Sequence, residues 1–499
     1  MAAGPTAGAP STRKAEWNRL DWRAIRQQVY RLQVRIAKAA REKRYGKVKA
    51  LQWILTHSRA AKLWAVRRAT TNRGKNTPGV DGVLWRTPQA KLKAARSMKR
   101  RGYRSQPLRR LYIPKSSGRQ LRPLGIPTLS DRAMQALHAC ALEPVAEATA
   151  DANSYGFRRN RSTADAIGQC FIALAKSYSA QWIVDADIKA CFDRIDHDWS
   201  LRNIPMDRKI LRTWLKAGFI DKRVFYPTEV GTPQGGIISP TIANMALDGL
   251  EAAVRRVVPN RGAKVNVVRY ADDFIITGSS QELLEEKVLP AVTAFLKERG
   301  LILSPEKTRL VHIAQGFDFL GFHLRKYRGK LLIQPAPEKV RRFAKGIRDF
   351  IKASVGHSTT LMLRRLNAKL RGWGHYYRHV VSKQTFAYVD REVDRALTWW
   401  TRRRHSGKTP AWQRRHYFRF QNGRRWIFFG TDTGSDGRKQ TVDLFKLGDI
   451  PIRRHVKIRG EARAYDPSFN PYFRRRWHEH RERRRVDRLF FSQHAPLFA

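Results

Sequence analysis

Three aspartates are placed to hold a hard cation: Asp187, which closes the run QWIVDAD, and the adjacent pair Asp272 and Asp273 in NVVRYADDFIITG. Both flanks of the pair are rich in β-branched and aromatic residues and read as strands, with a tight turn at or near the acidic residues. Like charges side by side between apolar strands are costly unless something positive neutralises them. If the strand ending at Asp187 neighbours this hairpin, three carboxylates meet at one end of a sheet. Mg²⁺ takes oxygen ligands, usually one or two carboxylates completed by substrate phosphates. A pair of such ions can activate a hydroxyl nucleophile and stabilise a leaving pyrophosphate. An Asp-Asp pair alone is weak, since it occurs by chance in most chains of this length.

The elements that must position these residues can be read from pattern. From Asp21 to about Arg68, apolar residues at helical spacing alternate with Lys and Arg. NRGKNTPGVDG (72–82) is a loop, either a plain turn or a phosphate contact through its lysine and amides. RRLYIP and LRPLGIP read as strands around a Ser-Gly turn, followed by a helix from about Leu129 with Ser130 or Asp131 as its cap. A short strand is predicted over Trp182–Ile188. VGTPQGGIISP is a Gly-rich turn entering a long helix, and another helix spans about 281–299. GFDFLGFHLRK is a further strand with its turn, residues 337–405 are helical and Arg-rich, and beyond Ser406 the pattern becomes irregular. This order of strands and helices predicts an α+β fold with an antiparallel central sheet.

Bulk properties narrow the partner. The 499 residues suffice for two or three domains, and a hydrophobic fraction of 42% supports a globular chain. The formal net charge is +58, from 99 Lys+Arg against 41 Asp+Glu. Such a charge repels itself unless a polyanion is bound, so nucleic acid is the expected partner. From Ser354 onward there are 33 Lys+Arg against 12 Asp+Glu, so the basicity is spread along the chain rather than confined to a tail. Three cysteines without a C-x-x-C pair give no disulfide framework or cysteine zinc site and fit a reducing compartment. No apolar run approaches the roughly 18 residues that cross a membrane, so no membrane partner is expected.

The segments around the aspartates carry a resemblance. TPGVDG, YIPKSSGRQLRPLGIPTLSDR, YGFRRNRST, DADIKACFDRIDH, GTPQGGIISP, RYADDFIITG, SPEKT and FDFLGFHL occur in this order, followed by LNAKLRGWGHYY. Together they resemble the reverse transcriptases encoded by group II introns, the intron maturases. The resemblance implies a right-hand polymerase fold. Its expected parts are a disordered tip (1–20), fingers and palm (21–336, with a basic helical extension over 21–100), a helical thumb or maturase domain (337–405) and a small basic C-terminal region (406–499).

Residue roles follow from the same resemblance. Asp187, Asp272 and Asp273 fall on the family's metal-binding aspartates, with Asp273 the less direct ligand and the Ile188 carbonyl an added one. Two Mg²⁺ ions are implied. Phe192, five residues after Asp187, falls where the family places an aromatic gate against the 2′-hydroxyl. Lys115 and Arg122 match the pair holding incoming triphosphate, for which cations are suited. Gln234, Gly235 and Gly236 match the turn along the template and the new base pair, where glycine permits close approach. Lys307 aligns with a lysine near the pyrophosphate. Asp193, Asp196, His197 and Asp198 read instead as helix-start and packing residues. In the thumb, Arg364, Arg365, Lys369, Arg371 and Arg378 form a cationic face suited to folded RNA, while the interleaved aromatics read as core.

The implied activity is RNA-directed DNA synthesis, with assistance to the splicing of the intron RNA and cDNA synthesis for its mobility. Alternatives are a splicing-only RNA-binding protein and a reverse transcriptase of another bacterial retroelement. Expected partners are intron RNA, target DNA and dNTPs, with a homodimer left open. The expected setting is a ribonucleoprotein at the bacterial nucleoid, an organelle being the lesser alternative. PIRRHVKIRGEARAYDPSFNPYFRRR resembles the segment that precedes an H-N-H endonuclease in many members, yet no cysteine follows Cys191. The expectation is therefore a DNA-binding remnant without that nuclease.

Overall fold

The computed structural model describes residues 16–114, 121–232, 235–421, 424–433 and 439–492. The chain divides into two compact units: the first is Met1–Ala166, Trp182–Leu310 and Ile458–Asn470, and the second is Ile167–Gln181, Val311–Lys457 and Pro471–Ala499.

In the first unit the basic helical stretch is three helices, α1 (Trp22–Arg41), α2 (Tyr45–His57) and α3 (Arg59–Thr71). Asp21 caps α1 by accepting from Arg23 N at 2.9 Å and Ala24 N at 3.0 Å, and Ser58 caps α3. Trp17, within the stretch expected as a tip, is buried and packs edge-on against Trp22 at 4.9 Å. After α4 (Pro88–Ser97) come β1 (Leu108–Pro114), β2 (Leu121–Ile126) and the long helix α5 (Leu129–Thr149). Thr128 caps α5, rather than Ser130 or Asp131. Asp131 is buried instead and accepts from Tyr103 Oη at 2.6 Å and Thr128 Oγ1 at 2.7 Å. Because α5 is buried almost all round, it is the axis on which α1, α2 and α3 pack, through Ile36, Leu55 and Val66 among others.

Next in this unit are β3 (Trp182–Asp187), α6 (His197–Asn203), α7 (Arg208–Leu215), β4 (Phe219–Asp221) and β5 (Val224–Tyr226). They are followed by α8 (Ser239–Leu247), α9 (Leu250–Val257), β6 (Asn266–Tyr270), β7 (Asp273–Gly278) and α10 (Leu289–Lys297). The strand β7 lies between β6 and β3, antiparallel to both. Val184, Phe274 and Ile276 of this sheet share a buried cluster with Ala246, Val254 and Leu296 of α8, α9 and α10. The other sheet, in the order β2-β1-β4-β5, is mixed, because β1 runs parallel to β4.

The second unit contains β8 (Phe317–Phe319), β9 (Phe322–Tyr327), β10 (Lys330–Pro335), α11 (Pro337–Ala353), α12 (Thr359–Tyr377), α13 (Lys383–Arg404) and α14 (Pro410–Tyr417). A sheet of β11 (Phe418–Gln421), β12 (Arg424–Thr433) and β13 (Lys439–Asp443) follows. Leu363, Leu366, Phe386, Leu397 and Trp400 are all buried in this unit. No helix among the described residues is long and apolar enough to cross a membrane.

Residues 458–470, read from the sequence as part of a C-terminal basic region, belong to the first unit. The reason is a set of specific anchors. Ile458 and Tyr465 are buried, Ile458 N donates to Asp165 Oδ1 at 2.8 Å, Tyr465 Oη donates to Glu143 Oε2 at 3.0 Å, and Asp466 pairs with Arg41.

Candidate active site

The geometry of the acidic cluster is set by strand register. Asp187 pairs directly with Asp273 across β3 and β7, and Tyr270 pairs with Asp273 across β6 and β7. The residues left for the turn are Ala271 and Asp272, so the three carboxylates share one end of the sheet. Ala271 adopts φ 59°, where a hairpin ordinarily takes glycine. Burial pushes the Asp272 carboxyl above its ordinary range. Asp273 is pushed up to about 7, first by burial and then by the charges of Asp272 and Asp187. Lys307 Nζ lies 2.6 Å from Asp187 Oδ2, and that hydrogen bond raises the lysine's own pKa. Lys307 thus offsets part of the negative charge gathered at the turn.

Among the described residues, no three His, Cys, Asp or Glu side chains form a ready-made metal cage. Mg²⁺ does not need one, because waters and substrate phosphates ordinarily complete its shell. Oxygen-only donors and carboxylates held at elevated pKa fit such a cation. Ile188 is buried, forming a bridge with Leu303, and Asp187 O accepts from Ser304 N at 2.8 Å.

The turn is held from behind by a residue that sequence reading passed over. Arg269 on β6 is 1% exposed, donates through Nη1 to Asn244 Oδ1 at 3.2 Å and to Ala271 O at 3.3 Å, and pairs through Nη2 with Asp248. Asn244 Nδ2 in turn donates to Gly156 O at 2.8 Å. A Cβ at Gly156 would sit 2.4 Å from Ala271 N, so backbone from YGF lies directly against the acidic turn. The available signal was an arginine inside an otherwise apolar strand. Burial pushes Asp248 up to about 6 even though Arg269 pulls it down.

Phe192 lies in the short helical turn Cys191–Arg194 and is tethered through its carbonyl, which accepts from Thr232 N at 2.6 Å. Its ring meets Phe157 edge-on at 6.4 Å. His197 is buried against Gly231 O at 2.8 Å, and Asp196 caps α6 through Trp199 N at 2.5 Å. Arg122, exposed on β2, acts electrostatically on Asp272 and Asp193 and partly opposes the rise that burial imposes on each. Lys115 and Gln234 lie outside the described residues. Gly235 has φ 115°, and a Cβ there would sit 2.5 Å from Gly125 O. At Gly236 a Cβ would meet Ser239 Oγ at 2.7 Å and Gln135 Oε1 at 2.9 Å. Gly235 is thus required by the backbone itself, whereas a side chain at Gly236 would have to displace Ser239 and Gln135.

In the second unit Arg364, Arg365, Lys369 and Arg371 are exposed along α12. Arg364 Nη2 donates to Gln440 Oε1 at 2.8 Å, Lys369 lies 5.3 Å from the Phe350 ring and Arg371 lies 4.9 Å from that of Phe445. Arg378 is half-buried, and its carbonyl accepts from Arg453 N at 2.9 Å. Trp373 stacks on Phe343 at 4.6 Å with 5° between planes, and Tyr377 is buried.

Three family models match the chain. They are described as reverse transcriptase (RNA-dependent DNA polymerase), over residues 113–324, the N-terminal domain of reverse transcriptase, over 17–98, and the group II intron maturase-specific domain, over 340–418. The chain is 33% identical over 330 residues to Protein YkfC of Escherichia coli (strain K12), covering 56% of this chain and 85% of that protein. It is 29% identical over 367 residues to the group II intron-encoded protein LtrA of Lactococcus lactis subsp. cremoris, covering 56% of this chain and 60% of LtrA. A telomerase structure from Candida albicans, in complex with a fragment of telomeric RNA, covers 62% of this chain and 66% of its own at 12% identity and a TM-score of 0.36, too slight a likeness to carry an argument.

Proposed function

The chain belongs to the group II intron reverse transcriptases with a maturase domain, an RNA-directed DNA polymerase family, and on that premise we propose that it binds its intron RNA, assists its splicing and copies RNA into cDNA with two Mg²⁺ ions. The observation that carries the reading is the register that puts Asp187 opposite Asp273 with Asp272 in the adjoining turn. Bound Mg²⁺ would supply Lewis acidity for the primer 3′-hydroxyl and the leaving pyrophosphate.

The chain's own residues divide the remaining work. Asp187 and Asp272 offer carboxylate oxygens, with Asp273 behind them and the Ile188 carbonyl as a further donor. Lys115 and Arg122 hold the triphosphate, and Gln234 with Gly235 and Gly236 lines the template and the new base pair. Phe192 leaves no room for a 2′-hydroxyl. Lys307 neutralises Asp187 in the resting site. It must leave that carboxylate before it can give a proton to pyrophosphate, because the pairing makes it a weaker acid. The cations of α12 grip RNA phosphates.

The test is oligo(dT)-primed extension on poly(rA) with Asp272→Ala. Loss of cDNA synthesis, with RNA affinity kept within a few-fold, is the expected result. Extension at the wild-type rate would remove the aspartate assignment. A wild-type protein that binds intron RNA and promotes splicing but never extends a primer would establish the splicing-only alternative.

A further inference from the structure

Beside the acidic turn stands a phenylalanine in a conformation that phenylalanine ordinarily avoids. Phe157, in YGFRR, has φ 57° and is 60% exposed. The left-handed region suits glycine or asparagine, and a bulky aromatic there is strained. Neither backbone preference nor burial therefore accounts for this side chain. The chain nevertheless pins it from both sides. Before it, Tyr155 N donates to Arg269 O at 2.9 Å, Arg269 N donates to Asn153 O at 3.0 Å, and Gly156 O accepts from Asn244 Nδ2 at 2.8 Å. After it, the buried Arg158 donates through Nε and Nη2 to the two carboxylate oxygens of Glu147, each at 2.9 Å, and through Nη1 to Ser154 O at 2.9 Å.

The ring held in this way meets Phe192. The two lie edge to face at 6.4 Å with 76° between planes, inside the favourable range for such pairs. Phe192 has need of a support. Its backbone is fixed by the bond from Thr232 N, and its ring packs in part against the buried cluster that includes Val184 and Phe274, yet it remains only half-buried. A half-buried ring can change rotamer, and a wall that swings aside cannot reject a single hydroxyl group. Strained backbone that its surroundings over-determine clusters at functional sites, and here the strain falls on the residue that touches this wall.

We propose that Phe157 is a positioning residue for the sugar pocket: its ring braces Phe192 and fixes the wall that excludes the 2′-hydroxyl of an incoming ribonucleotide. The proposal rests on the reading of Phe192 as that wall and adds the residue that keeps it in place. It also gives the strained φ of Phe157 a purpose, since the left-handed turn is what carries the ring to Phe192 from a backbone already locked against β6 and the acidic turn.

The experiment measures single-turnover incorporation of dTTP and of UTP by the full chain on oligo(dT)-primed poly(rA). It compares wild type, Phe157→Gly, Phe157→Asn, Phe157→Tyr, Phe192→Ala and the double variant Phe157→Gly/Phe192→Ala. Glycine removes the ring and accepts φ 57° without strain, so the variant keeps its fold, which a thermal melt checks. It should nonetheless raise the use of UTP relative to dTTP by roughly two- to twelve-fold, the worth of one edge-to-face aromatic contact. Phe157→Asn also tolerates the left-handed region and carries the same expectation, which guards against an effect peculiar to glycine. Phe157→Tyr, which keeps the ring, should keep the wild-type ratio. The double variant should be no more permissive than Phe192→Ala, because Phe157 acts through that ring. An unchanged ratio in Phe157→Gly and Phe157→Asn, an equal loss in Phe157→Tyr, or additive effects in the double variant would overturn the proposal and leave the gate reading in place. An unchanged ratio in Phe192→Ala, or a wild type that incorporates neither nucleotide, would instead remove the gate reading and the brace with it.

Discussion

Arg269 shows how a single buried charge serves a site that it never enters. Its guanidinium ties Ala271 of the acidic turn to Asn244 and Asp248 on the α8 side. Removing one partner of a buried pair strands the other, at a cost of about 3–5 kcal/mol. Arg269→Ala should therefore lower the urea midpoint and reduce kcat, with little change in KM for primer–template. Adding Asp248→Asn should restore much of the stability but not kcat, because the donor to Ala271 O is still missing. Recovery of both would make the arginine merely structural. His138 makes a separate prediction about acid. It is buried edge-on to Trp214 at 5.5 Å, and burial lowers its pKa to about 4, with Asp207 opposing and His57 and Arg100 reinforcing the shift. The unfolded chain binds this proton below about pH 6.5 and the folded chain does not. The group's contribution is thus complete above that pH and is lost as pH falls toward 4, by about 3 kcal/mol in all. The drop in urea midpoint between neutral pH and pH near 4.5 should be smaller for His138→Phe than for wild type; identical pH dependence would contradict the assignment.

At the scale of elements, the segment 458–470 is anchored into the first unit. Besides Tyr465 and Ile458, Arg161 Nη2 donates to Gly460 O at 3.0 Å and to Ala462 O at 3.3 Å. Arg463 Nη1 donates to Glu147 O at 2.5 Å. Arg161 thus satisfies two carbonyls of this irregular segment, and Arg463 satisfies one near the C-terminal end of α5. Tyr465→Ala should cost about 3–5 kcal/mol, as truncation of a large buried ring does, while leaving RNA affinity unchanged. Intact stability with weakened RNA binding would return the segment to a binding role.

For the whole molecule, a net charge of +58 makes RNA binding a matter of counterion release. Log affinity should fall with log salt at about 0.7–0.9 per phosphate contacted. Changing Arg364, Arg365 and Lys369 together to glutamine should flatten that slope by roughly two. Splicing assistance should weaken before polymerisation on a simple template, since a large folded RNA needs more of the surface than a short duplex. An unchanged slope and unchanged splicing would mean that these side chains only solvate α12.

The local features were legible in the sequence because their causes are local. β-branched flanks and a two-residue turn define the hairpin at Asp272, and the caps of α1 and α3 are written beside the helices they start. Ordered motif blocks pointed to the polymerase and maturase family. What sequence could not decide was set by neighbours far along the chain. The pairing of Asp187 with Asp273 depends on β7 choosing β3 as its second partner. The burial of Arg269 depends on Asp248 arriving from the end of α8. The position of residues 458–470 depends on Glu143 and Asp165, which lie roughly three hundred residues earlier. A buried charge or an irregular strap is stable only where its partner waits, and that partner is identified by folding, not by spacing.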